Sequence, residues 1–491
     1  MLQSFGVPPA HVLAGPQWLL HNTAATRALE SNALSAAPPH VLMQRAGLAS
    51  ARLALAIAPH ARAIWIATGP GNNGGDGMEA AMHLQRWGRQ VTVTCLGDPA
   101  ASSSDAAASR CRALEAGVTF GPQPPDRWDL CIDALLGIGA SRPPDGMMAR
   151  WIQHMQSRDA PVLAIDNPTG LNADTGKAAA VCVRASATLS LLTLKPGLFT
   201  ADGRDMAGQV WLDDLQINGS EFPDSGAPTA RLLARPACVQ RQHASHKGSY
   251  GDVAVVGGAS GLTGAAVLAA TACLHAGAGR VFLCPLDTHA ALLACTPAEL
   301  MLREVGALEF ERLTVVSGCG GGDAIREHLP SLLSRACTLV LDADALNALA
   351  IDSHLQQLLL FRAERTTQTV LTPHPLEAAR LLGITAAQVQ AHRIDAVQRL
   401  ATRFKCTVVL KGSGTIVAAP DQLPAINPTG NALLATAGSG DVLAGMIGAR
   451  LATGMPAFEA ACAAVFAHGE TADHWPPGVA LTAGALACAL Q

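Results

Sequence analysis

The chain has 491 residues, of which 49% are hydrophobic and 15% charged, and a formal net charge of −4. That is enough for two large α/β-sized domains or three smaller ones, and too apolar for disorder. Lys and Arg form no stripe, which argues against nucleic acid as a partner, and the 13 cysteines are scattered with no CxxC pair, so a reducing, cytoplasmic setting is expected.

The first charged residue is Arg27, and Pro8, Pro9 and Pro16 interrupt what precedes it, so no signal peptide is expected. The runs Ala63–Thr68, Val91–Leu96, Leu130–Leu135 and Pro161–Asp166 are apolar with little alternation, as strands buried on both faces are. Helical stretches such as Met78–Trp87 lie between them, and this alternation predicts a parallel sheet with helices on both faces. The segment Gly69-Pro70-Gly71-Asn72-Asn73-Gly74-Gly75-Asp76-Gly77 reads as a glycine-rich loop between the first strand and the helix at Met78, an anion-binding arrangement without the spacing of a dinucleotide fingerprint or a Walker A loop. Asp133 and Asp166 each close an apolar run, which puts a carboxylate at the sheet's ligand edge; helix capping is the alternative for either.

Residues 218–228 are polar and rich in Gly, Pro and Ser, and are the expected linker between domains at about 1–220 and 230–491. Val253–Gly279 carries no Asp, Glu, Lys or Arg and is long enough to cross a bilayer. Its glycines at 257, 258, 261 and 264 point instead to a strand, a turn and a buried helix, and no membrane contact is expected. Strand-like runs continue at Val281–Cys284, Leu313–Val316, Leu339–Asp342, Val370–Thr372 and Thr407–Leu410. Ligands of open parallel sheets bind beyond the carboxyl ends of strands, and four such ends carry chemistry: Asp342–Asn347, Thr372-Pro373-His374-Pro375, Lys411-Gly412-Ser413-Gly414-Thr415 and Gly438-Ser439-Gly440-Asp441. The last opens a helix with Leu443, Ile447 and Leu451 on one face, so glycine backbone and helix N-terminus suit a phosphate while Asp441 can take a proton from a hydroxyl. A plain helix cap and an ordinary hairpin turn are the alternatives for the Gly438 and Lys411 segments.

These pieces, together with His246-Lys247-Gly248-Ser249-Tyr250-Gly251, Gly264-Ala265-Ala266, Gly318–Gly322 and Asn427-Pro428-Thr429-Gly430-Asn431, resemble the ribokinase-like superfamily and within it the ADP-dependent NAD(P)H-hydrate dehydratases, over essentially all of 240–491. Residues of about 20–215, including Leu42–Gly47 and Leu194-Lys195-Pro196-Gly197-Leu198, resemble the NAD(P)H-hydrate epimerase domain. Cys319 stands where the first family usually has Pro, Leu376 where it usually has Gly, and Thr169 where the second usually has Ser.

The resemblance implies an α/β chain of two three-layer, parallel-sheet domains, Rossmann-like and then ribokinase-like. In the first, Asn72, Asn73, Gly74, Gly75, Asp76, Gly137, Ile138, Gly139, Ala140, Ser141, Arg142 and Pro143 would line the substrate. Asp166 would be the acid/base there, and Asn73, Asp133 and Thr169 would bind K⁺. In the second, Ala265, Gly320, Gly322 and His374 would contact the hydrated dinucleotide, and Lys411, Gly412, Ser413, Gly414, Thr415 and Gly440 would hold Mg²⁺-ADP. Asp441 would deprotonate the C6 hydroxyl as ADP phosphorylates it, making water's oxygen a good leaving group. The implied partners are small molecules, NADH and NADPH hydrates and ADP, acting on a homo-oligomeric enzyme. A kinase of a vitamin-precursor alcohol fused to a non-catalytic binding module is the alternative.

Overall fold

A computed structural model describes residues 8–13, 17–97, 103–139, 142–217, 226–237, 241–287 and 296–490. The chain forms two compact units, one holding Trp18–Arg231 and the other Leu232–Gln491. Residues 218–225 of the expected linker lie outside the described residues.

The strands of the first unit are β1 (Ala10–His11), β2 (Leu19–Leu20), β3 (Ala63–Thr68), β4 (Gln90–Cys95), β5 (Thr119–Gly121), β6 (Leu130–Ala134), β7 (Val162–Ile165), β8 (Ala187–Leu191) and β9 (Gln209–Asp213). Its sheet has the order β1-β9-β8-β7-β6-β3-β4-β5 and is parallel except for the β1 edge. Helices α1 (Thr23–Ala36), α2 (Val41–Ile57), α3 (Asn72–Arg86), α4 (Ser104–Glu115), α5 (Gly146–Met155) and α6 (Gly203–Met206) accompany it. Residues of β3 show why alternation is absent: Ile64 and Ile66 enter one apolar cluster with Ala80 and Leu84 of α3, while Trp65 and Ala67 enter another with Trp151 and Met155 of α5. Both faces are therefore covered, as a parallel sheet requires. The chain runs outward from β3 to β5, then returns to β6 and runs the other way, so β3 and β6 flank the switch point where ligands of such sheets bind.

One expectation is corrected here. The glycine-rich segment is not a loop ending at Met78, because α3 already begins at Asn72. Its glycines are helical and serve packing: a Cβ on Gly74 would stand 2.1 Å from the Gly69 carbonyl oxygen, one on Gly75 would meet the Met43 thioether at 2.6 Å, and one on Gly77 would meet Ala134 at 2.5 Å. Their poor helix propensity is outweighed by the close approach of α2, α3 and the sheet.

The chain passes from one unit to the other within β10 (Ala230–Leu232), and the strands of the second unit are β11 (Asp252–Gly257), β12 (Arg280–Pro285), β13 (Met301–Leu302), β14 (Thr314–Ser317), β15 (Thr338–Leu341), β16 (Thr369–Leu371), β17 (Thr407–Leu410), β18 (Ile416–Ala418) and β19 (Ala425–Ile426). The order β13-β12-β11-β14-β15-β16-β17-β18-β19 is parallel as far as β17, and the last two pairings are antiparallel. Its helices are α7 (Thr263–His275), α8 (Ile325–Arg335), α9 (Ala343–Ile351), α10 (Ser353–Glu364), α11 (Pro375–Leu382), α12 (Ala386–Ala391), α13 (Arg393–Phe404), α14 (Ser439–Ala452), α15 (Ala457–Asp473) and α16 (Ala483–Cys488). The uncharged Val253–Gly279 stretch is β11, a turn and α7, with α7 packed on α14. Gly445 makes that contact possible, since a Cβ there would lie 2.1 Å from the Ala269 carbonyl oxygen. Among the described residues no helix is long and apolar enough to cross a membrane. The switch point of this sheet lies between β11 and β14, and the four loops singled out by sequence all leave its carboxyl edge or open the helix beside it.

Candidate functional site

Each unit has a constellation at its own switch point. In the first, a cavity of about 430 Å³ is lined by Arg27, Glu30, Asn73, Asp76, Gly137 and Asp166 among others, a size suited to part of a small-molecule ligand. Asp166 follows β7 with φ +67°, a left-handed conformation that disfavours a side-chain-bearing residue. Its backbone is pinned there by the bond from its N–H to the Leu189 carbonyl, 2.7 Å, and by the Asn167 N–H to the Ile165 carbonyl, 2.8 Å. The carboxylate accepts from Lys195 Nζ at 2.5 Å and from the Ile138 N–H at 3.2 Å. Lys195 is fully buried, and its other donors go to the Leu191 carbonyl at 2.7 Å and to Ser190 Oγ at 3.3 Å. It is held by acceptors on every side, so its role is to fix Asp166.

Two neighbouring carboxyls have raised pKa values. Burial, then the negative charges of Asp166, Glu30 and Glu79, hold Asp76 well above the usual carboxylate range. Burial and the charge of Asp166 raise Glu30 as well. A wall that puts carboxyls of raised pKa beside an ammonium-bound carboxylate suits both giving and taking protons.

Behind this wall, Asp133 at the end of β6 is fully buried and accepts from the Thr169 hydroxyl at 2.7 Å and the Thr169 N–H at 2.8 Å. Burial raises it to about 6 against those hydrogen bonds. The amide of Asn73 is buried with no hydrogen-bond partner for Oδ1 or Nδ2 among the described residues, which is costly unless something fills it. Gly137 joins the two groups: a Cβ there would stand 3.0 Å from Asp166 Oδ2 and 3.5 Å from the Asn73 side chain. An orphaned amide oxygen, a carboxylate and a hydroxyl form a hard-oxygen set that suits a cation such as K⁺.

Of the residues expected to line the substrate, Asn72, Asn73, Asp76, Gly137, Ile138 and Gly139 do line the cavity. Gly74 and Gly75 instead face the packed interior, and Arg142 and Pro143 are exposed and outside the wall. Ala140 and Ser141 lie outside the described residues. The partner role of Lys195 and the acidity of Glu30 were not read from sequence, although the Leu194–Leu198 segment had stood out as a motif.

In the second unit, Asp342 follows β15 as the N-cap residue of α9 and is buried. Its Oδ1 accepts from Lys411 Nζ at 2.6 Å and from the Thr372 hydroxyl at 2.7 Å. The Lys411–Thr415 segment is indeed the turn of the β17–β18 hairpin, yet the turn carries its lysine inward to the neighbouring strand ends. Burial pulls the Lys411 ammonium down, but the charges of Asp342 and Glu377 more than offset it and leave it raised. Gly440 gives this lysine room, a Cβ there lying 3.2 Å from Nζ. Arg393, buried, holds the turn from beneath by donating to the Leu410 and Lys411 carbonyls.

Asp441 lies in the first turn of α14, whose N-cap Gly438 sits at φ +91° and receives no side-chain cap bond. A carboxylate in that first turn also meets the helix dipole, so the plain helix-start role stands beside the functional one. Burial, then the charge of Asp342, pushes it to about 6, opposed by a hydrogen bond from Cys319 and the Lys411 charge. Asp344 does not cap either: it accepts from the Gly322 N–H at 2.9 Å and from Asn347 at 3.3 Å, bracing the glycine loop. Gly320, at φ +57°, packs on Ala265, where a Cβ would come within 2.9 Å of the alanine methyl. His374 caps α11 through Nδ1, accepting from the Leu376 and Glu377 N–H groups, and is lowered by burial and by Lys411. Buried Glu377, raised to about 7 by burial, closes that capping box. Glu377 and Arg393 carried no sequence signal, being polar residues inside helices.

Two family profiles cover most of the chain: one described as NAD(P)H-hydrate dehydratase matches residues 253–491, and one described as YjeF-related protein N-terminus matches 39–197. The Bifunctional NAD(P)H-hydrate repair enzyme Nnr of Escherichia coli (strain K12) is 36% identical over 446 residues, covering 88% of this chain and 84% of that one. The protein of the same description from Coxiella burnetii is 34% identical over 470 residues, covering 93% and 94%. Among solved structures, an ADP/ATP-dependent NAD(P)H-hydrate dehydratase from Bacillus subtilis, co-crystallised with ATP/Mg²⁺, is 28% identical, with a TM-score of 0.44 over 51% of this chain and 91% of that one.

Proposed function

The chain belongs to the bifunctional NAD(P)H-hydrate repair enzymes, an epimerase half followed by a dehydratase half, and on that premise we propose that Asp166 and Asp441 are the working carboxylates of the two halves. Epimerisation at C6 needs reversible loss of the ring hydroxyl. Asp166, oriented by Lys195, and Asp76, whose pKa burial raises well above the usual carboxylate range, would supply a base and an acid on one wall. K⁺ would be held by Asn73, Asp133 and Thr169, where it would supply fixed positive charge behind the substrate.

For dehydration, Asp441 takes the proton of the C6 hydroxyl as that oxygen attacks the terminal phosphoryl of ADP, and AMP leaves. The C6–O bond of the ester then breaks with phosphate as the leaving group and a proton is lost from C5, which restores the C5–C6 double bond of the dihydronicotinamide. Lys411–Thr415 and the N–H groups at Gly440 cradle the nucleotide phosphates. Asp344 and Asn347 are engaged in bracing the loop, so Mg²⁺ would be held chiefly by phosphate oxygens, with Asp342 and Asp441 the nearest carboxylates, and would neutralise charge there. The observation that carries this reading is the reach of Lys411 from its hairpin turn to Asp342 beside Gly440, which gathers separate loops around Asp441. Free thiols throughout the described residues support a reducing, cytosolic setting.

The test is to incubate the protein with mixed R and S hydrates, with and without ADP, and follow dihydronicotinamide absorbance. Complete, ADP-dependent recovery is expected. Recovery that stops at the S fraction would refute the epimerase assignment, and a stable phosphorylated alcohol with no regained absorbance would refute the dehydratase one.

A further inference from the structure

Beside the dehydratase carboxylate lies a thiol that the reaction does not use. Cys319 follows β14, Asp342 follows β15 and Asp441 lies in the first turn of α14, and one ligand atom from each lies within 4.8 Å of the others. Resting on the dehydratase reading, we propose that Cys319, Asp342 and Asp441 form a binding site for a thiophilic divalent cation such as zinc, and that its occupancy stops dehydration while sparing epimerisation.

The donor set fits that chemistry. Zinc takes thiolate at roughly 2.3 Å and carboxylate oxygen at about 2.0–2.2 Å in a tetrahedron. Its ligand atoms therefore stand roughly 3.3–3.6 Å apart, within a small rotamer adjustment of the spacing present. Lys411 and Thr372 both donate to Oδ1 of Asp342, so Oδ2 can turn to an ion. The charges also favour a cation, since two carboxylates face one ammonium. Burial and those same carboxylates keep the Cys319 thiol protonated; on binding, the S–H proton passes to solvent and a sulfur–metal bond replaces it.

The thiol sets the selectivity. Mg²⁺ demands an octahedron of oxygens and keeps its waters, so the ion that accompanies a nucleotide gains nothing from Cys319. Zinc and cadmium do. A bound zinc would also occupy the Asp441 oxygen needed to take the hydroxyl proton, which makes the site inhibitory. Cys319 is fully buried, which protects it from casual oxidation and alkylation.

The experiment titrates the metal-free full chain with cadmium, reading the ultraviolet thiolate-to-cadmium absorption, and separately with zinc, reading both activities. Several other cysteines are exposed, among them Cys111, Cys337 and Cys488, so the informative quantity is the difference from Cys319→Ala. The expected result is one equivalent of cadmium–thiolate absorption present in the parent and missing from the variant. Zinc inhibition of dehydration should be weakened on the order of tenfold or more in Cys319→Ala, each protein being compared with its own metal-free rate. Cys319→Ser, nearly isosteric, repeats the comparison if the alanine variant folds poorly. Equal cadmium stoichiometry in parent and both variants, or equal zinc sensitivity, overturns the proposal. A zinc-free chain that shows no dehydration when supplied with ADP and Mg²⁺ would instead overturn the functional reading, and the cadmium titration would still report on the site.

Discussion

Replacing Asp441 by Asn should abolish dehydration and at the same time stabilise the C-terminal unit at neutral pH. The carboxyl sits at about 6, raised from 3.8 by burial and by the Asp342 charge. Because the folded state binds this proton more tightly than the unfolded chain, stability declines as pH rises from about 3.8 to about 6 and the loss is complete above that. Roughly 2 pH units at 1.36 kcal/mol each give a ceiling of ~3 kcal/mol at pH 7. Asp441 is only partly buried, so screening reduces this to about half. Asn keeps an oxygen to accept from Cys319 and never ionises. For a unit of this size the gain corresponds to roughly 3–6 °C in Tm. The assay is thermal unfolding of both proteins at pH 7 and pH 4, following the transition that added ADP shifts upward. The gain should be present at pH 7 and close to absent at pH 4. An equal shift at both pH values, or a destabilised variant at pH 7, would show that Asp441 is not a strained, desolvated carboxylate.

If Asp441 is the base, kcat for dehydration rises with pH through about 6, and Lys411→Met moves that limb to higher pH by removing a charge that lowers Asp441; a limb that stays put in the variant argues against the pairing. Gly137→Ala puts a methyl about 3.0 Å from Asp166 Oδ2 and should cut epimerase kcat/KM on the order of 100-fold while dehydration persists, read by the rate of R-to-S conversion. Thr169→Val removes the hydroxyl that bonds Asp133, so any rise in Tm that K⁺ gives the parent over a bulky quaternary ammonium should disappear. Lys195→Met leaves Asp166 without its buried partner and should cost about 3 kcal/mol in denaturant unfolding of the N-terminal unit, along with epimerase turnover.

The parallel sheets were legible because strands covered on both faces must be apolar throughout, and β3 and β17 begin and end where their apolar runs do. The strand-end carboxylates followed from the same signal. What misled was glycine. Around Gly74 it suggested a loop, whereas its use is to let helices α2 and α3 meet the sheet, a requirement set by residues such as Met43 and Ala134 far away in sequence. Partners separated by long stretches of chain were also out of reach: Lys195 for Asp166, Lys411 for Asp342, and Arg393 beneath its hairpin turn. No local pattern marks a buried lysine as a tether, because its acceptors are set by the strand order.

Those tethers show a shared logic in the two halves. In each, a lysine from a later segment binds a strand-end carboxylate, Asp166 or Asp342, through a hydrogen bond of 2.5 or 2.6 Å. In each, a non-glycine residue at or next to that carboxylate has left-handed backbone, Asp166 itself at φ +67° and Ala343 at φ +46°. A second carboxyl, Asp76 or Asp441, then lies within the field of the first and is pushed upward. Burial contributes most to that rise and the charge of the tethered carboxylate adds to it, while the Lys411 charge opposes it at Asp441. The chemistry of the two halves differs in where the tethered anion sits. In the first unit the tethered Asp166 faces the cavity with the raised Asp76 beside it, which suits reversible proton traffic at one carbon. In the second the tethered Asp342 is buried behind, and only the raised Asp441 stands at a helix N-terminus where a phosphoryl group can be held. On the roles proposed for Asp166 and Asp441, the tethered carboxylate lines the site in the epimerase half and lies behind it in the dehydratase half.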